Sequence, residues 1–293
     1  MRLNPYVRGR MTAGSAVRSR FERLFRVCDN AACTQRGLLG SIRLRDEQGI
    51  GLQGRWYCSA PCFEHAVLDE FGRLLGAPVA AGKKTHRIPI GLLMLSRGVI
   101  NDLQLKRALA LQKEKGAGRI GEVLRSINAV TDEDIAAGLA TQWGCPVYPL
   151  DRAREFLYCA TLLPRELLEN GRMLPVHHTR LAETLHVGFT EGVDHTVLYA
   201  VEQMLHLKTV PCIVSESALR KAFEQLQGRT TAAATVFDSV LDVREMARTT
   251  RSYASQLSAQ DVKMARTGAF IWIRLHSGPS SKDILFQAAT PAS

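Results

Sequence analysis

No stretch of the chain approaches the ~18 consecutive apolar residues that a membrane-crossing helix needs; the best run, Ile88 to Leu95, stops far short. The first residues are rich in arginine but contain no apolar core of the kind a secretory signal carries. The sequence therefore predicts a cytoplasmic protein without membrane insertion. Catalytic signatures are equally scarce. No G-x-S-x-G, H-E-x-x-H or G-x-G-x-x-G stands in a usable setting. The nearest approach to a phosphate loop, Gly76-Ala77-Pro78-Val79-Ala80-Ala81-Gly82-Lys83-Lys84-Thr85, has five residues between its glycines where four are required, and Lys84 stands where a Ser or Thr would hold Mg²⁺. It also follows a helical pattern instead of a strand. These absences predict a protein that is not an enzyme, with residues 77–85 serving as a linker.

The 293 residues, 46% hydrophobic and 23% charged, are those of a globular chain with two or three compact units, none of which needs disulfides merely to exist. Acids are in deficit, 28 Asp and Glu against 38 Lys and Arg, for a net charge of +10. Residues 1–26 hold seven arginines (Arg2, Arg8, Arg10, Arg18, Arg20, Arg23, Arg26) and one acid, Glu22, so +6 of that charge lies on this arm. A protein that wraps nucleic acid spreads its cations over a folded face. Here the arm reads as a flexible solvated tail, with contact to nucleic acid or an acidic partner as the competing reading, and Met11 offers a second translation start.

Seven cysteines fall into two groups. Cys145, Cys159 and Cys212 stand singly among apolar residues and read as small buried hydrophobes. The other four form two pairs, Cys28-x4-Cys33 and Cys58-x3-Cys62, with 24 residues between them. Two close pairs at this separation suit four thiolates converging on one tetrahedral Zn²⁺. Between the pairs, Ser41 to Arg45 alternates like a strand, Asp46 to Gly49 reads as a turn, and Gly54-Arg55-Trp56-Tyr57 leads into Cys58. An amphipathic helix from Phe63 to Leu75 follows, closed by Gly76 and Pro78. Knuckle, hairpin and a helix whose first turn donates ligands resemble a treble-clef zinc finger over residues 27–76. His65 is a possible substitute ligand but is expected on the surface. A zinc held by four protein sulfurs would be structural, with no position open for a catalytic water.

The most informative stretch repeats itself. Pro89-Ile90-Gly91-Leu92-Leu93-Met94 with Gly98, Leu105, Leu109 and Gln112 recurs thirty residues on as Arg119-Ile120-Gly121-Glu122-Val123-Leu124 with Asn128, Ile135, Leu139 and Gln142. Each copy reads as a short apolar helix, a tight turn and a longer amphipathic helix. Asn101 and Thr131 are placed as N-caps, while Gly116 and Gly144 close the longer helices.

This doubled pattern resembles the cyclic-di-GMP-binding N-terminal domain of type II secretion and type IV pilus assembly ATPases, the MshEN type, whose signature is a doubled R-L-G-x2-L-x3-G-x6-L-x3-L-x2-Q. Trp143 to Leu150, Leu163 to Leu168, and the segments beginning at Arg172, Thr184 and Thr209 look like the small α/β subdomain that follows it, so the resemblance covers roughly residues 86–227. It implies a cyclic-di-GMP site made by Ile90, Gly91, Met94, Gly98, Leu105, Leu109 and Gln112 from the first copy. Arg119, Ile120, Gly121, Leu124, Asn128, Leu139 and Gln142 come from the second.

The physics suits such a ligand. A pseudo-two-fold dinucleotide meets a tandem repeat, an arginine can hold guanine O6 and N7 or a phosphate, and glycine admits close backbone approach. Two departures stand out. Pro89 replaces the first arginine, with Arg87 two residues upstream as a substitute, and Asn128 replaces the second turn glycine, where Asn tolerates a left-handed backbone. Both a binding site and a degenerate copy that no longer binds remain open.

The remainder is predicted as alternating strands and helices to residue 227, including helices from Asp194 to His206 and Ser215 to Gln227. A small module over 232–293 follows: strand Val236 to Val240, helix Val243 to Leu257, a hairpin from Asp261 to Leu275 turning near Gly268, and strand Ile284 to Phe286. The fold class is thus a multidomain α+β chain: zinc module 27–76, helical repeat 87–145, α/β subdomain 146–227 and a C-terminal docking module. His177, His178, His186, His195 and His206 lack metal-site spacing.

The expected function is a non-enzymatic cyclic-di-GMP-binding signalling or adaptor protein with a protein partner in secretion or pilus assembly. The alternatives are a contact-only scaffold of that machinery that has lost nucleotide binding and, more weakly, a zinc-dependent nucleic-acid-binding regulator.

Overall fold

A computed structural model describes residues 27–34, 49–76, 87–116, 118–152, 154–228, 232–239 and 241–288. The arginine arm, the strand expected at Ser41 to Arg45, and the linker at 77–85 lie outside the described residues. In chain order the elements are β1 (Ile50–Leu52), β2 (Arg55–Tyr57), α1 (Ala60–Gly76), α2 (Ile90–Ser96), α3 (Asp102–Lys115), α4 (Ile120–Ser126), α5 (Asp132–Trp143), α6 (Phe156–Cys159) and α7 (Arg165–Asn170). There follow β3 (Met173–Thr179), β4 (Thr184–Phe189), α8 (His195–Leu205), β5 (Lys208–Ile213), α9 (Glu216–Gln225), β6 (Ala234–Phe237), α10 (Val243–Gln256), β7 (Asp261–Thr267), β8 (Phe270–Ser277) and β9 (Ser280–Gln287).

The repeat forms as its local chemistry dictates. Asn101 and Thr131 each accept from the backbone N–H three residues on, and Gln104 and Asp134 return a bond to the capping residue, so both long helices open on a capping box. Gly116 and Gly144 close them in the left-handed conformation, both at φ 66°. The turn positions Gly98 and Asn128 have φ 69° and 55°, so asparagine takes the left-handed role expected of it. Met94, Leu105, Leu124 and Val130 pack into one small core shared by the two copies.

The α/β subdomain is a three-stranded sheet in the order β3-β4-β5, with β3–β4 antiparallel and β4–β5 parallel through α8. The second sheet departs from the module-by-module organisation read from the sequence. Its order is β2-β1-β7-β8-β9-β6, and β1 pairs in parallel with β7 through Gly51↔Asp261 and Leu52↔Val262. The cysteine-bearing hairpin and the C-terminal strands therefore share one sheet and are not two separate modules. The hairpin also turns later than expected, at Gln53 and Gly54, whose φ values of 52° and 80° suit a two-residue connection.

Both faces of this sheet are buried, which the two-residue period of β8 makes explicit. Ile271, Ile273 and Leu275 face the core beneath α1 and α10, whereas Trp272 enters the core of the α/β subdomain. Phe71 of α1 meets Phe286 of β9 edge-on, with ring centroids 5.8 Å apart. The sheet is thus the middle layer between α1/α10 and the α/β subdomain. Among the described residues, no helix is long and apolar enough to cross a membrane.

Candidate functional site

The four paired cysteines converge. Their sulfurs lie within 4.8 Å of one another, and Cys33 Sγ is 3.6 Å from Cys58 Sγ. Four sulfurs at about 2.3 Å from a single tetrahedral ion stand about 3.8 Å apart, so the cluster has the dimensions of a site that could hold a metal. The turn Cys28–Cys33 is fastened to β2 by Asp29 N–H donating to Trp56 O (2.9 Å) and Trp56 N–H donating to Asp29 Oδ2 (2.7 Å). β2 runs into Cys58, and the first turn of α1 supplies Cys62.

Burial pushes the Cys58 thiol up to about 12, with the neighbouring Cys33 and Cys28 adding to the rise, and burial also raises Cys28. At Cys62 burial acts upward as well, but hydrogen bonds from Ser59, Asn30, Cys33 and Cys28 outweigh it and lower the thiol. A cation amid the four would favour the thiolates that burial disfavours. His65 lies outside the cluster, exposed and 3.4 Å from Asp69, as expected.

The residues assigned to the ligand by resemblance have a more mixed fate. Met94, Leu105, Leu124 and Leu139 are buried in helix packing, and Ile90 and Ile120 are half-buried against them. Leu109 stays 49% exposed while its counterpart Leu139 is 8% exposed, because α5, unlike α3, packs on the α/β subdomain. Gln112 Nε2 donates to Gly118 O and Gln142 Nε2 donates to Ile88 O, both at 2.7 Å. Each glutamine therefore ties down the residue that precedes the motif of the other copy, a reciprocal lock that could not be inferred from a single motif.

The motif glycines are also packing positions. A Cβ on Gly91 would stand 2.8 Å from Leu105 Cδ1, whereas one on Gly121 would meet Ile135 at an ordinary 3.6 Å. Gly121→Ala should therefore stabilise the protein by about 0.5–1 kcal/mol through helix propensity. Gly91→Ala should instead destabilise it by about 1 kcal/mol as overpacking outweighs that gain. Urea midpoints of the two variants check the difference in sign.

Both candidate arginines are engaged. The Arg87 guanidinium lies 3.3 Å over the Trp143 ring. Arg119 is paired with Glu191, on the loop after β4. Glu191 also accepts from Arg172, which donates to Glu216 at 2.8 Å, and Arg125 pairs with Asp132 (2.5 Å) and Glu216 (3.4 Å). This chain of alternating charge joins the second repeat to the α/β subdomain across a cavity of about 100 Å³. The cavity opens where β4 and β5 end, the carboxyl side of a parallel strand pair, where open α/β sheets place ligands. Sequence reading missed Trp143, Arg172 and Glu191. The available signal was positional: a Thr-Glu-Gly turn directly following a strand and preceding a helix.

Residues 143–233, from the last residue of α5 through the α/β subdomain to the residue before β6, match the MshEN domain family. The chain carries an MshEN domain. The tandem repeat at 87–142 precedes the matched residues. A curated relative, the type IV pilus assembly ATPase PilB of Thermus thermophilus, is 28% identical over 129 residues. The match takes in 44% of this chain and 14% of PilB, so this chain spans about a seventh of that relative's length. The chain is similar to solved structures of MshE with cdg (26% identity, 47% of this chain, 99% of that one, TM-score 0.41) and of the N-terminal domain of XpsE (20% identity, 47% and 92%, TM-score 0.36).

Proposed function

We propose that this protein is a non-enzymatic cyclic-di-GMP receptor or adaptor of secretion or pilus machinery, with a structural zinc at Cys28, Cys33, Cys58 and Cys62. The observation that carries the reading is the doubled motif at thirty-residue spacing, set directly before an MshEN domain. Arg119 opens the second copy and Arg87 lies two residues before the first, each near an acidic or aromatic neighbour that a guanine or phosphate can replace.

Calorimetric titration with cyclic-di-GMP, with GTP and ATP as controls, tests it. Arg119→Ala should weaken binding about tenfold or more, since a charge-assisted bidentate contact is lost. Pro89→Arg should tighten it by restoring the missing cation of the first copy. Undetectable affinity in every form of the protein, wild type and variants alike, would overturn the reading. The second reading is a contact-only scaffold, favoured by one observation: both motif glutamines spend their amide donors on the backbone of the opposite copy.

A further inference from the structure

Arg119 is the one motif arginine the repeat retains, and its partner is carried by the other subdomain. Glu191 offers one carboxylate oxygen to Arg119 and the other to Arg172, much as a phosphate held between two guanidiniums would. Three further observations single out this loop. Arg172 has φ 43°, a left-handed conformation that a long side chain adopts at a cost, and it thereby holds Glu191 and Glu216 together. Thr190, 8% exposed, lines the same cavity with a hydroxyl that makes no hydrogen bond among the described residues. Gly192, at φ 152°, lies so close to Trp143 that a Cβ would come within 2.6 Å of the ring on which Arg87 stacks. One short loop thus touches the holders of both candidate arginines.

The charge balance has a direct consequence. The cavity wall carries Arg119 and Arg125 against Glu122, Asp132, Glu191 and Glu216, so acids outnumber arginines. A dianionic ligand reaching Arg119 meets a guanidinium already neutralised and a surplus of carboxylates, which oppose it electrostatically.

We infer that Glu191 is an intramolecular occupant of the anion position at Arg119, which cyclic-di-GMP displaces on binding. This inference rests on the proposed function. It makes Glu191 a positioning and affinity-setting residue, and it couples ligand binding to the β4–α8 loop: once Arg119 turns to the ligand, Glu191 is held by Arg172 alone.

The test is calorimetric titration of the full chain with cyclic-di-GMP at fixed ionic strength, comparing wild type, Glu191→Gln and Glu122→Gln. Glu122→Gln removes the same formal charge from the same cavity wall. Circular dichroism checks that each variant is folded, and Glu191→Asp, which keeps the charge on a shorter arm, supplies a second variant of the latch. Glu191→Gln should bind about fivefold tighter, the scale of one partly exposed ion pair, Glu191→Asp should gain less, and Glu122→Gln should change by less than about twofold. In wild type the ligand should speed hydrogen exchange at residues 190–194, as Glu191→Gln does without ligand. Binding seen only in Glu191→Gln supports the latch. Equal or weaker binding of Glu191→Gln beside a wild type that binds overturns the latch and leaves the proposed function standing. No binding in any form overturns the proposed function and the latch with it.

Discussion

With zinc at the four-cysteine cluster, as proposed, stripping the metal or replacing Cys58 and Cys62 by serine should unfold β1, β2 and the start of α1. Apparent free energies of about 10–16 kcal/mol hold structural zinc in small finger modules, so a loss of 5 kcal/mol or more is expected here, the rest of α1 being retained by its packing. Elemental analysis should give one zinc per chain in protein purified reduced and without chelator, and none in the double variant. Finding no zinc in such wild-type protein would sink the assignment.

The reach of the effect follows from topology. β1 covers the edge of β7, Gly51 donates to Gln260 O at 2.9 Å, and Gln53 donates to Val262 O at 3.0 Å. Releasing β1 frees these acceptors and bares the β7 edge, which invites pairing with another chain. Hydrogen exchange should therefore rise at 50–57 and along β7 but stay low in β3–β5, whose core lies on the far side of the sheet. Protection unchanged along β7 would show that the pairing contributes little. Aggregation of the metal-free protein is expected on the same ground.

The sequence made legible what local chemistry decides. Asn101 and Thr131 as caps, Asn128 in a left-handed turn, and α8 opening at Asp194 all follow from side chains acting on their own backbone within a few residues. The cysteine cluster was legible for a different reason: ligand chemistry constrains spacing across a longer stretch. What escaped was set by partners remote in sequence. β1 is three residues long, and nothing in Ile50-Gly51-Leu52 announces a parallel neighbour at Asp261 and Val262. The resemblance places Gln112 and Gln142 at the ligand, and their bonds to the opposite copy escape it because a motif considered alone has no second copy to bond. Glu191 escaped because its role exists only once the second repeat lies against the end of β4.

Arg274 and Asp283 should yield the largest single-residue loss of stability. They are 5% and 2% exposed and form a bidentate pair, Nε to Oδ1 and Nη2 to Oδ2, both at 2.8 Å. Trp272 Nε1 donates to the same Oδ1 at 2.7 Å, and Arg274 Nη2 also donates to Leu162 O at 3.0 Å. Breaking such a pair leaves a buried charge uncompensated, which costs about 3–5 kcal/mol. Asp283→Ala should reach the upper end, because it strands both the guanidinium and the indole N–H.

Replacing both partners by apolar residues of similar bulk, Arg274→Met with Asp283→Leu, removes both charges, so urea unfolding should find the double variant more stable than either single one. The double variant still loses the bond to Leu162 O, the link between the six-stranded sheet and the segment leading into α7. Exchange at residues 160–163 should then rise even where the urea midpoint recovers. That combination would assign the pair to fixing how the sheet seats on the α/β subdomain. A double variant as unstable as Asp283→Ala would instead mean that the buried charges themselves hold the two layers together.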